Sequence, residues 1–173
     1  QLIRDPHLEV KGVGLEVLAC HRRAFEPSML PTLKDWLARH DASNWATTDL
    51  LCGFVIGPLL AAHPGLIASV ASWWSHDVLW VRRASIVSLI VPMRAGLAVD
   101  EAYAVARHLH ADGEDLIQKA VGWALREAGK QDLSRLERYL RDHGRAIPRT
   151  TLRYAIERMS PAVRADLLRV TRR

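Results

Sequence analysis

Apolar residues recur at helical spacing along nearly the whole chain, and no segment of β-branched alternation competes with them. The helical pattern itself repeats. The segments EVKGVGL at 9–15, WVRRASI at 80–86, IQKAVGW at 117–123 and LRYAIE at 152–157 each set a polar or aromatic residue before a small one, then an apolar run. With Lys11, Arg83, Lys119 and Tyr154 as equivalent positions, the separations are 72, 36 and 35 residues. The 72 is two repeats, and the unit between is the helix that contains SNWATTD at 43–49. A period near 36 built from two antiparallel helices predicts an all-α solenoid, because a helix pair cannot bury its apolar faces alone and must stack on its neighbours. The inner helices of such a stack line a concave groove. A helix bundle shares the periodicity and is the competing architecture; the repeat spacing favours the solenoid.

Punctuation agrees with short connections. Asp5-Pro6, Glu26-Pro27, His63-Pro64, Asp112-Gly113, His143-Gly144, Ile147-Pro148 and Ser160-Pro161 read as breaks or helix starts. Between them about ten helices of roughly 11–20 residues are expected, in a single domain over residues 1–173. At 49% hydrophobic and 25% charged, the 173-residue chain can bury a core without disulfides or metal. The two cysteines, Cys20 and Cys52, exclude a disulfide scaffold and a cysteine-rich zinc site. They fit a reducing compartment, and a cytoplasmic location is expected. No run of about 18 consecutive apolar residues suggests a membrane span. The opening QLIRDPHLEV has no signal-peptide pattern and no initiator Met, so upstream sequence is expected.

Charge is unevenly spread. Residues 135–173 hold eleven Arg and four acids and carry +7, against −2 for the first 134 residues. A basic end suggests a phosphate-rich partner, although a solvated arginine-rich helix face reads the same way.

Walker, Rossmann and nucleophile-elbow patterns are absent. His108 and His110 are two apart and diverge on a helix, so no metal site and no cofactor are expected. Three pairings carry more. Trp45 and Asp49 are four apart and share a helix face, with Ser43 or Asn44 available as the cap. An acid there is also what the helix dipole alone favours. Arg83 lies three after Trp80, and Lys119 four before Trp123, with Gly122 leaving space for a large ring or a close neighbour. Each Trp alone reads more readily as core. Together they differ, because Asp49, Arg83 and Lys119 are 34 and 36 residues apart and so recur in register on the inner helices. That set suits a flat cationic ligand on a polyanion: indole faces and Asp49 for the cation, Arg83 and Lys119 for phosphates.

At these residues the chain resembles the DNA alkylation repair family, AlkD-like DNA glycosylases built from HEAT-like (ARM-type) repeats. The resemblance runs from about Asp5 to about Met159 and is carried by SNWATTDLL, HPGLI, LWVRRASIV and, above all, IQKAVGWALREAGK, continuing into LRYAIERM. It implies removal of bulky or simple cationic alkylpurines, chiefly N3- and N7-alkylated adenine and guanine, from duplex DNA without flipping the lesion into a pocket. It also implies that Trp45 and Trp123 are the cleft indoles, Asp49 the catalytic carboxylate and Arg83 the backbone grip, with Lys119 and Arg126 also expected on the DNA backbone. Two departures stand out: Ala46 follows Trp45 where an acid or polar residue is expected, and the relatives' additional N-terminal helices are expected to be missing here.

A non-catalytic DNA-binding paralogue and a protein-binding scaffold are the alternatives. Six Trp is a large number beside two Phe and three Tyr. Trp36, Trp73 and Trp74 are expected to pack between repeats, and Trp80 to support Arg83. A monomer is expected.

Overall fold

The computed structural model describes residues 2–171, and these form helices and connections with no strand. The helices are α1 (Leu8–Cys20), α2 (Leu30–Ala38), α3 (Trp45–Leu51), α4 (Gly57–Ala62), α5 (Ile67–Ala71) and α6 (Leu79–Val87). They continue with α7 (Ile90–Arg94), α8 (Val99–Leu109), α9 (Asp115–Gly129), α10 (Leu133–His143), α11 (Arg149–Ala155) and α12 (Pro161–Val170). Short 3-10 turns at Pro27–Met29, Pro64–Leu66 and Ser72–Ser75 fill several of the connections.

Two pairs of these helices are single rods interrupted in the middle. A π turn at Cys52–Ile56 joins α3 to α4, and a turn at Ser88 and Leu89 joins α6 to α7. The cause lies downstream in both. Pro58 and Pro92 have no N–H, and each ring crowds the carbonyl four residues back, on Phe54 and on Ser88. Counting each rod once gives ten helices among the described residues, as expected, but α5 has 5 residues and α11 has 7. These, with the 9 residues of α2 and the 10 of α12, fall below the expected 11–20: 3-10 turns take over on either side of α5, and α11 is confined between Pro148 and a turn at 156–158. The Trp45–Ala62 rod has 18 residues with mean hydropathy 1.5, long and apolar enough on average to cross a membrane, although it contains no unbroken apolar run. Half of it is buried inside the stack.

Packing follows the repeat. Helices α1, α3, α6, α9 and α11 touch in succession and form one row, with α5, α8, α10 and α12 behind them. Polar staples fasten each repeat to the next. Lys11 Nζ donates to the Asp41 carbonyl at 2.5 Å, Arg82 Nε to Asp112 Oδ2 at 2.8 Å, and Arg94 to Glu127 Oε2 at 3.2 Å. One continuous apolar core runs from Ile3 to Leu167 between the rows. Its fully enclosed side chains, Leu37, Leu51, Leu59, Leu60 and Leu109 among them, contribute roughly 1.5–3 kcal/mol each.

Trp73 is buried, and Trp36 and Trp74 pack against the same core, with Trp74 stacked on the His108 imidazole at 4.1 Å. Trp80 is half-buried against the core. No cation–π contact joins it to Arg83 among the described residues; the Arg83 guanidinium is hydrogen-bonded to Asp49 and to the Leu116 carbonyl.

Candidate functional site: a cleft of indoles around an ion pair

Helix α3 begins where Asn44 accepts a hydrogen bond from the Thr47 backbone N–H at 2.9 Å, which fixes Trp45 as its first residue. Trp45 thus projects from the first turn and remains 59% exposed, unusual for an indole. Asp49 follows one turn later on the same face. Cys52, three residues on, is fully buried and faces the Ser88 hydroxyl; burial pushes its thiol up to about 12, so it is an inert member of the core.

The neighbouring inner helix supplies Arg83. Its Nε donates to Asp49 Oδ1 at 2.9 Å and its Nη2 to Asp49 Oδ2 at 2.7 Å, a two-pronged ion pair across 34 residues of sequence. A third donor, Nη1, goes to the Leu116 carbonyl at the start of α9. The Arg83 side chain is only 6% exposed and that of Asp49 17%. This differs from the expected phosphate grip: burial and the Leu116 carbonyl turn the guanidinium inward, so Arg83 positions Asp49. A carboxylate oxygen has two lone pairs, and Arg83 uses one on each oxygen. The remaining lone pairs are left for the cleft.

Helix α9 brings Lys119, Trp123 and Arg126 to the same opening. Lys119 Nζ pairs with Asp115 Oδ2 at 2.7 Å on the exposed surface; each holds the other charged, lowering the Asp115 carboxyl and raising the Lys119 amine. Arg126 Nη1 pairs with the exposed Glu157 carboxylate, while its Nε is buried without a partner. Trp123 is half-buried against the core.

These residues line one cleft of about 490 Å³. It brings together Trp45, Asp49, Arg83, Lys119, Trp123 and Arg126, the six residues to which the sequence points. Leu116 and Tyr154 complete the lining. Tyr154 had a signal, since it holds the repeat position of Arg83 and Lys119, but a phenol interrupts the run of cations that makes this register legible. Leu116 had none, because its part is played by a backbone carbonyl. Among the described residues no cluster of three His, Cys, Asp or Glu could hold a metal ion. His108 and His110 diverge: the first stacks on Trp74, and the second is buried with Nε2 2.7 Å from the Tyr139 hydroxyl.

A cleft with two indoles, a phenol, a fixed carboxylate and two cations in exchangeable pairs can accept a flat cation and hold nearby phosphates. Comparison with known proteins points the same way. The family described as DNA alkylation repair enzyme matches residues 1–159. A solved structure of a predicted DNA alkylation repair enzyme from Enterococcus faecalis superposes with a TM-score of 0.81 at 16% identity, covering 92% of this chain and 73% of that one. That likeness is one of fold. A comparison with curated proteins finds no match.

Proposed function

The chain belongs to the DNA alkylation repair enzyme family, and from that premise we propose that it is a DNA glycosylase that hydrolyses the N-glycosidic bond of cationic N3- and N7-alkylated purines in duplex DNA. The observation that carries the reading is the Asp49 carboxylate, held through both oxygens by buried Arg83 in a cleft flanked by Trp45 and Trp123.

The chemistry needs little else. Alkylation at N7 or N3 puts a positive charge on the purine and makes it a good leaving group without protonation. Breaking the bond then builds oxocarbenium character at C1′. A fixed anion facing that carbon stabilises the developing charge and orients a water, with no reorganisation at the moment of reaction. Indole faces favour the cationic base. Lys119 and Arg126 exchange their exposed carboxylate partners for phosphates, at small cost because exposed pairs are weak. The open cleft suits a lesion read within the duplex, without flipping into an enclosed pocket.

One observation favours a second reading, a non-catalytic DNA-binding paralogue: Arg83 occupies both Asp49 oxygens, as in a purely structural ion pair. Base release separates the two. The protein is expected to release N7-methylguanine from methylated duplex DNA, and Asp49→Asn to lower that rate at least about 100-fold while duplex binding persists. Binding without release by the unmutated protein rejects the glycosylase.

A further inference from the structure

Tyr154 is exposed in the cleft, and its hydroxyl takes part in no hydrogen bond among the described residues. Its surroundings on α9 are cationic. Lys119 lies three residues before Gly122 and Arg126 four after it, so the three share one helix face. Helix α11 crosses that face at Gly122, where a Cβ would overlap the Tyr154 Cβ and stand 2.6 Å from the Thr151 carbonyl oxygen. Tyr154 is thereby seated between the two cations. The Lys119 amine is raised first by its hydrogen bond to Asp115, and Tyr154 lies close enough to add to that effect.

Both cations already hold anions. Lys119 pairs with Asp115 at 2.7 Å, and Arg126 with Glu157, which follows Tyr154 by three residues on α11. These exposed carboxylates mark where anions sit on either side of the ring. The two cations are two helical turns apart, about 10 Å along α9, which suits successive charges on a chain better than one small anion. Arg83, at the same repeat position as Tyr154, is turned inward to Asp49 and the Leu116 carbonyl and offers the chain no donor.

The hydroxyl is also preorganised. One turn before Tyr154, the Thr151 hydroxyl donates to Gln118 Oε1 at 2.6 Å, and Gln118 Nε2 donates to the Leu109 carbonyl at 2.9 Å. This buried network fixes α11 on α9. Two torsions then place the phenol, so little freedom is lost when it binds.

We propose that Tyr154 is a phosphate ligand: its hydroxyl donates to a backbone phosphate of the duplex while Lys119 and Arg126 neutralise that phosphate and its neighbour. The proposal rests on the duplex-binding part of the reading above and not on base release. A hydroxyl bonded to an ionised oxygen gives a short, strong contact, yet it releases no counterion because the phenol carries no charge. Its contribution to affinity therefore varies little with salt, unlike that of the flanking cations.

The test titrates labelled duplex DNA with the unmutated protein and its variants, by fluorescence anisotropy between about 50 and 200 mM salt. Tyr154→Phe weakens binding about tenfold throughout and leaves the log–log salt slope unchanged. Tyr154→Leu, which keeps a side chain packed over Gly122, does the same. Lys119→Gln weakens binding with a slope flatter by about 1. If Tyr154→Phe binds as tightly as the unmutated protein, or flattens the slope as Lys119→Gln does, the ligand role is overturned and the DNA repair reading stands. Slower base release in Tyr154→Phe with affinity unchanged also overturns it, since the hydroxyl then acts at the damaged base. No duplex binding by the unmutated protein overturns the function proposed above, and this proposal with it.

Discussion

At the scale of single residues, the Arg83–Asp49 contact dominates the cleft, and its energetics make it testable apart from chemistry. Removing one partner of a nearly buried ion pair leaves an uncompensated charge, so Arg83→Met is expected to cost about 3 kcal/mol in a urea titration. Arg83→Lys keeps the charge but not the fork, and should recover part of the stability while leaving Asp49 poorly aimed. A cost below about 1 kcal/mol for Arg83→Met would show that the pair carries little of the fold. The register that brings Asp49, Arg83 and Lys119 together could be counted along the chain. The direction of the Arg83 head could not. It is set by the Leu116 carbonyl 33 residues downstream and by burial, neither of which has a signature near Arg83 in the sequence.

At the scale of elements, helix starts were readable and helix interiors were not. Pro27, Pro64 and Pro161 open helical segments as the punctuation predicts. The π turn below Asp49 and the break at Ser88 required setting each proline against the carbonyl four residues before it, a long-range effect within one helix. The packing of α8 against α10 adds a pH dependence. Burial draws the His110 imidazole down to about 4 from its ordinary 6.5, and its Nδ1 has no partner. The unfolded chain takes up this proton below about 6.5 while the folded chain resists until about 4. Stability from this group is therefore complete above 6.5 and is lost as pH falls toward 4, by about 2–3 kcal/mol. Thermal melts between pH 7 and pH 4 should show a shallower fall for His110→Asn than for the unmutated protein. Parallel curves would mean that His110 is protonated in the fold.

At the scale of the whole molecule, the basic C-terminal segment is less free than its charge suggests. Arg135 pairs with Asp100, and Arg141 and Arg169 share Asp166. Arg138, Arg153, Arg158 and Arg164 have no ion-pair partner among the described residues, and Arg153 and Arg158 are exposed, the first next to Tyr154 in sequence. Arg172 and Arg173 lie outside the described residues. Duplex affinity should fall steeply with salt, and replacing Arg153 and Arg158 by Gln should flatten the log–log slope by about 1 for each phosphate no longer neutralised. An unchanged slope would place the DNA elsewhere. The staples between repeats carry one more consequence. The carboxylate, the guanidinium, the second indole and the phenol ride on four different helices, α3, α6, α9 and α11. The jaws therefore have no frame of their own. Their gap is set by the pitch of the stack, as the opening of a pair of calipers is set at a distant pivot, and a loosened packing layer far from the damaged base would detune them.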